Sequence, residues 1–114
     1  MITKDDIQTF FENLKDSDID SNNQLIYGYF FTDPNATKLE SASQDLVKLG
    51  YKFVDIFEAE VEDDDEPFFY LHVEKVEKHS VDSLDKVNQT LYVLADKYEL
   101  ESYDGFDAGP IEIV

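Results

Sequence analysis

Hydrophobic residues recur every three or four positions in three segments of the chain, and this period predicts three amphipathic helices at residues 3–15, 33–50 and 80–98. The first residue of each segment, Thr3, Asp33 or Ser80, has a side chain that suits a helix N-cap. Pro34 suits the first helical position, and Gly50 suits a left-handed cap that ends the second helix. The apolar stripes consist of Ile7, Phe10, Phe11 and Leu14; Leu39, Ala42, Leu46, Val47 and Leu49; and Val81, Leu84, Val87, Leu91, Leu94, Ala95 and Tyr98.

Four other segments are rich in aromatic and β-branched residues, and we predict strands at residues 24–32, 51–61, 68–78 and 99–106. The first is apolar on both faces, which indicates a central strand, and its Gly28 indicates a bulge or the close approach of a packed helix. In the second, Tyr51, Phe53, Phe57, Ala59 and Val61 share one face. In the third, Phe69, Leu71 and Val73 alternate with Tyr70, His72 and Glu74.

The predicted order is an N-terminal helix followed by β-α-β-β-α-β. Two split β-α-β units with right-handed crossovers form a four-stranded antiparallel sheet that carries both main helices on one face. We therefore expect an α+β domain over residues 1–114 with a ferredoxin-like sandwich fold. The N-terminal helix is an addition to that fold, and the sequence does not indicate where it packs.

The net charge of the chain indicates which kinds of partner to expect. The 114 residues include 9 Lys plus Arg and 27 Asp plus Glu, which gives a formal net charge of −18. Nucleic acid and anionic lipid surfaces attract positive charge, so neither is expected as a direct partner. A basic region of another protein is the natural complement, and the alternative is that the charge serves solubility alone.

The chain contains no Cys, and its N-terminal residues lack the apolar run of a signal peptide. No stretch approaches the ~20 apolar residues that span a bilayer. We therefore expect a cytoplasmic protein, and its oligomeric state stays open.

Residues 58–66 contain seven carboxylates in nine positions, and Pro67 follows them. This pattern predicts a hairpin with a charged tip formed by Glu62, Asp63, Asp64, Asp65 and Glu66. Three interpretations stay open. The carboxylates hold a hard cation, they pair with Lys or Arg on a partner, or they keep strand edges apart.

Residues that could carry catalysis are scarce. His72 and His79 are the only histidines, and neither has a second ligand at metal spacing. Residues 16–27 begin like a calcium loop, but Ser21 stands where Gly is needed and Tyr27 stands where Glu is needed. A nucleophile elbow, a phosphate loop and a dinucleotide fingerprint are all missing. We therefore expect no catalytic residue, no cofactor and no metal, and hence a protein that is not an enzyme.

The last predicted strand carries the motif Tyr103, Asp104, Gly105 and Phe106. Gly105 permits a bulge that turns the strand. Because Tyr103 and Phe106 are three positions apart, they face opposite sides of the sheet unless a bulge intervenes. One of them would then pack under the helices and the other would face the open side. The motif is either a structural corner or an exposed aromatic contact for a partner.

Several short stretches together resemble the regulator of ribonuclease activity B family. They are Asp16-Ser17-Asp18, Leu49-Gly50-Tyr51, the acidic run, Leu94-Ala95 with Lys97-Tyr98, and the Tyr103–Phe106 motif, whose last position is usually Trp in the family. The resemblance implies an acidic ferredoxin-like domain that acts by binding protein. The member that gave the family its name binds and inhibits the endoribonuclease ribonuclease E. We therefore predict partner-binding residues in the acidic tip (Glu62, Asp63, Asp64, Asp65, Glu66) and in the motif (Tyr103, Asp104, Gly105, Phe106).

Two other functions stay open. A ligand-binding or catalytic domain would use the open face of the sheet, lined by Tyr27 or Tyr70, His72 and carboxylates. A toxin-immunity protein is the second alternative, because small acidic antagonists suit that role.

Overall fold

The predicted order of helices and strands is confirmed over residues 1–111, the part of the chain that the computed structural model describes. Residues 112–114, which belong to the tail after the last strand, lie outside the described residues. The helices are α1 (Lys4–Asp16), α2 (Ala36–Lys48) and α3 (Val81–Lys97), and the strands are β1 (Leu25–Asp33), β2 (Lys52–Glu58), β3 (Phe69–Glu77) and β4 (Ser102–Gly109).

The strands form one sheet in the order β2-β3-β1-β4, and every neighbouring pair is antiparallel. β1 is a central strand, as its apolar sequence predicted. The fold is therefore a ferredoxin-like α+β sandwich with an additional N-terminal helix.

Capping side chains fix where the helices begin. The N–H of Asp6 donates to the Thr3 hydroxyl (3.1 Å) and the N–H of Thr3 donates to the Asp6 carboxylate (2.9 Å). These hydrogen bonds hold the pKa of Asp6 below its ordinary value. Ser80 caps α3 in the same way, since its side chain accepts from the N–H of Ser83.

The predicted start of α2 is wrong by two residues. Asn35 is the N-cap, and its side chain accepts a hydrogen bond from the N–H of Thr37 (2.9 Å). A residue that precedes proline is disfavoured in the helical region, so Pro34 keeps Asp33 in the extended conformation of β1. The Asp33 carboxylate instead accepts from the N–H groups of Asn35 (2.8 Å) and Glu101 (3.0 Å).

Two predicted strands differ in extent or in facing. β2 ends at Glu58, and a bulge at Val54 places Phe53 opposite Val73 and Phe57 opposite Tyr70, on opposite faces of the sheet. The prediction that Phe53 and Phe57 lie on the same face of the sheet is therefore wrong. β4 begins at Ser102, three residues later than predicted, because the chain first closes the end of α3.

One face of the sheet carries the core and the other does not. Tyr27, Tyr29 and Phe31 of β1 are completely buried beneath the helices. α1 packs on α3 in the same layer. The Phe10 ring of α1 also contacts the Phe106 ring of β4 edge-on, with 4.8 Å between the ring centres. The three helices therefore share one side, and the opposite face of the sheet stays open.

Candidate protein-binding surfaces

The connection between β2 and β3 is the predicted acidic hairpin. The N–H of Ala59 donates to the Phe68 carbonyl (2.9 Å), and the N–H of Asp65 donates to the Glu62 carbonyl (2.9 Å) to close the turn. All five tip residues, Glu62 to Glu66, are exposed. The backbone therefore presents five exposed carboxylates from one turn at one end of the sheet.

The tip carboxylates have no cationic neighbour in the part of the chain that the structure describes. The ion pairs found there involve Asp33, Asp45, Glu74, Glu77 and Asp82, not the hairpin. Within residues 1–111 there is also no group of three or more His, Asp or Glu side chains placed to hold a metal ion. The charge of the tip is thus uncompensated by the described residues.

A bulge at Asp104 changes the geometry of the aromatic motif. Tyr103 lies opposite Phe31 and Gly105 lies opposite Phe30, so Asp104 is the extra residue of β4. Gly105 has a φ of +142°, a backbone conformation that favours glycine. The bulge restores the same facing to Tyr103 and Phe106, and both lie on the helix side. The predicted bulge beside Gly105 is confirmed, and the alternative without a bulge, in which one aromatic ring faces the open side, is wrong.

The residues of this motif differ in how much of each is exposed to solvent. Tyr103 is only 5% exposed, and its hydroxyl donates to the Asn88 side-chain oxygen at 2.6 Å. Burial raises the pKa of the Tyr103 hydroxyl far above its ordinary value. Gly105 and Phe106 are half-buried, and Asp104 is the exposed member of the motif. A partner on this edge would meet Asp104 and the backbone at Gly105 before any aromatic ring.

The open face of the sheet holds a groove of about 340 Å³. Its lining, which we call the glycine groove, comprises Ile26, Gly28, Phe30, His72, Glu74, Asp107, Ala108, Gly109 and Pro110. The His72 ring stacks on the Phe30 ring, with 4.4 Å between ring centres and 19° between planes. Gly105 is the neighbour of Phe30 in the sheet, next to this groove.

Glycines give the groove its floor. A Cβ at Gly28 would lie 2.9 Å from Nε2 of His72, so glycine makes room for the His72 ring. A Cβ at Gly105 or Gly109 would meet no atom within 4 Å, so the backbone there is open to solvent. The predicted approach of a helix to Gly28 is wrong, because the side chain that approaches belongs to β3.

The residues predicted to line a site on the open face lie on both faces of the sheet. Tyr27 faces the helices and is completely buried. Tyr70 and His72 lie on the open face, where the Tyr70 ring stacks on the Phe57 ring at 5.4 Å. The sequence did not reveal the groove, although one signal was available: two of the four glycines, Gly28 and Gly105, stand inside predicted strands.

The family model described as Regulator of ribonuclease activity B matches residues 4–108. The chain belongs to this family. A curated relative of that name from Shewanella denitrificans is 33% identical over 89 residues, which cover 76% of this chain and 66% of the relative. The match therefore spans just under two thirds of that relative's length.

Membership in the Regulator of ribonuclease activity B family confirms the predicted resemblance. The matched residues run from the start of α1 into β4, so they include the N-terminal helix, the acidic hairpin and the aromatic motif. α1 is consequently part of the family domain. Among the helices of residues 1–111, none is both long enough and apolar enough to cross a membrane.

Proposed function

We propose that this protein is a non-catalytic regulator of a ribonuclease and that it acts by non-covalent binding to a basic region of that enzyme. Its family, together with the name of the Shewanella relative, supports the ribonuclease as the partner. The net charge of −18 supports the basic character of the region that it binds.

The observation that carries the proposal is the exposed acidic hairpin. Glu62 to Glu66 project from a hydrogen-bonded turn and have no cationic neighbour in the described chain. Lysine or arginine on a partner would supply the missing countercharge. Asp104 and the Gly105 backbone form a second contact region on β4, with Tyr103 held in the core to fix the strand.

The decisive experiment compares two variants with the same net charge. The hairpin variant carries Asp63→Asn, Asp64→Asn and Asp65→Asn. The control carries Asp16→Asn, Asp18→Asn and Asp20→Asn, which precede β1 at the opposite end of the sheet. Binding to purified ribonuclease E is measured by calorimetry, and RNA cleavage is measured in parallel.

We expect the wild-type protein to slow cleavage and the hairpin variant to bind at least about tenfold more weakly, a loss of ~1.4 kcal/mol. The control should stay within about threefold of wild type, because long-range charge alone changes affinity little at physiological salt. Equal losses in the two variants would contradict a specific hairpin contact. Absence of binding by the wild-type protein would contradict the proposed function itself.

A further inference from the structure

The glycine groove presents flat surfaces to a ligand. Phe30 and His72 form a nearly parallel stack across β1 and β3. Beside them the backbone at Gly105 and Gly109 is uncovered, since a Cβ at either position would touch nothing. A planar group can therefore approach both the aromatic stack and the peptide backbone, which a surface covered by side chains would prevent.

The groove also carries negative charge. Glu74 and Asp107 both line it, and the Glu74 side chain is 28% exposed. Glu74 lies at the limit of an ion pair with Nε2 of His72 (4.0 Å), and one Asp107 oxygen accepts from the N–H of Ala108 (2.8 Å). Each carboxylate therefore keeps oxygen atoms that a further donor can reach.

The lysine that stands opposite Glu74 in the sheet does not occupy its carboxylate. Lys52 of β2 stands opposite Glu74 in the sheet, yet no ion pair joins the two in the described residues. An aromatic stack, an open backbone and two carboxylates together match a planar cation with several N–H donors. The guanidinium of arginine has that shape, stacks on aromatic rings and pairs with carboxylates through two hydrogen bonds.

We propose that the glycine groove binds an arginine side chain from a basic protein segment, with Glu74 and Asp107 as its carboxylate partners. The inference rests on the proposed function for the basic character of the partner. Lysine fits less well, because its ammonium is a compact point charge that cannot stack or form a two-pronged contact.

The four glycines of the chain allow a direct test. The ¹⁵N-labelled protein is titrated with a short unlabelled peptide of alternating arginine and glycine, and with its lysine counterpart, while the glycine amide signals are followed by NMR. We expect the arginine peptide to shift Gly28, Gly105 and Gly109. Gly50, at the end of α2, should stay in place as an internal control.

Two charge-matched variants test the carboxylate role. Glu74→Gln should weaken binding of the arginine peptide about tenfold, whereas Glu40→Gln on the exposed surface of α2 should change it less than about twofold. The proposal would be overturned if the lysine peptide bound as tightly, if Gly50 shifted as much as the groove glycines, or if the two variants behaved alike.

The ribonuclease assay separates this inference from the proposed function. If Glu74→Gln weakens both peptide and ribonuclease binding, the groove is supported as the seat of an arginine of that enzyme. If Glu74→Gln loses the peptide but binds ribonuclease as wild type does, the groove is not part of the ribonuclease interface, and the proposed function stands. If the peptide binds the groove and the wild-type protein binds no ribonuclease, the proposed function fails and the arginine site is retained.

Discussion

The two faces of β1 differ in how closely they are packed, although residues next to each other in the chain supply them. Phe31 points into the helix layer and is completely buried, whereas Phe30, one residue earlier, points to the open face and stacks on His72. The helix side of β1 carries Tyr27 and Tyr29, and the open side carries Gly28. The helix side of β1 is therefore packed with aromatic rings, and the open side leaves a groove beside the Phe30 ring. Stability and binding are divided between the faces of a single strand.

The largest expected effect comes from truncating the two neighbouring phenylalanines in turn. Phe31→Ala should lower the free energy of unfolding by about 3–5 kcal/mol, because it removes a buried ring and leaves a cavity. Phe30→Ala should lower it by only about 1–2 kcal/mol, because its ring is partly exposed and loses one stack. Urea unfolding of both variants measures the difference.

The same pair also tests the division of labour. Phe30→Ala should remain folded and lose affinity for the arginine peptide, since the stack that borders the groove is gone. Equal destabilisation by the two substitutions would mean that the open face is as much a part of the core as the covered face.

A smaller effect is expected from hydrogen bonds on the two faces. Asn88 is completely buried; its oxygen accepts from the Tyr103 hydroxyl, and its amide nitrogen has no partner within the described residues. Tyr103→Phe should lower the free energy of unfolding by about 1–3 kcal/mol, because a buried amide then lacks its remaining bond.

The matched change on the open face is Ser102→Ala. Its hydroxyl is 2.6 Å from the Thr32 hydroxyl, and Ser102 is half-buried. Thr32 is only 5% exposed, but removal of the Ser102 hydroxyl leaves space for water beside it, so we expect a loss of only about 0.5–1 kcal/mol, again measured with urea. A larger loss for Ser102→Ala than for Tyr103→Phe would reverse the ranking of the two faces.

The features that the sequence predicted correctly depend on residues that are close to one another in the chain. The Thr3 and Ser80 caps are confirmed because each depends on a side chain and an N–H within three residues. The alternation of β3 is confirmed because the strand has no bulge. The acidic tip of the hairpin was visible for the same reason, since its charge lies in consecutive residues.

Features that depend on a partner strand were not predictable. The bulges at Val54 and Asp104 reverse which residues face the helices, and each is defined by the register against a strand elsewhere in the sequence. The glycine groove likewise needs β1, β3 and β4 to be side by side. Composition alone could not show that Gly28 makes room for His72.

The smallest expected effect concerns the rim of the covered face. Asp45 of α2 accepts hydrogen bonds from the Tyr98 hydroxyl and from Nζ of Lys97 (3.0 Å), which joins α2 to the end of α3. These bonds, the Tyr98 one first, hold the pKa of Asp45 below its ordinary 3.8. A depressed pKa in the folded state adds stability above pH 3.8, and this stability is lost as the pH falls through the folded value.

Asp45→Asn should therefore lower the melting temperature at pH 7, and the difference from wild type should shrink as the pH falls through the lowered pKa of Asp45 and its carboxylate is protonated. Asp96→Asn is the control, because it removes the same charge beside Lys97 and leaves the Asp45 contacts in place. A pH-independent difference between wild type and Asp45→Asn would show that the Tyr98 contact contributes by geometry alone and not by the charge of Asp45.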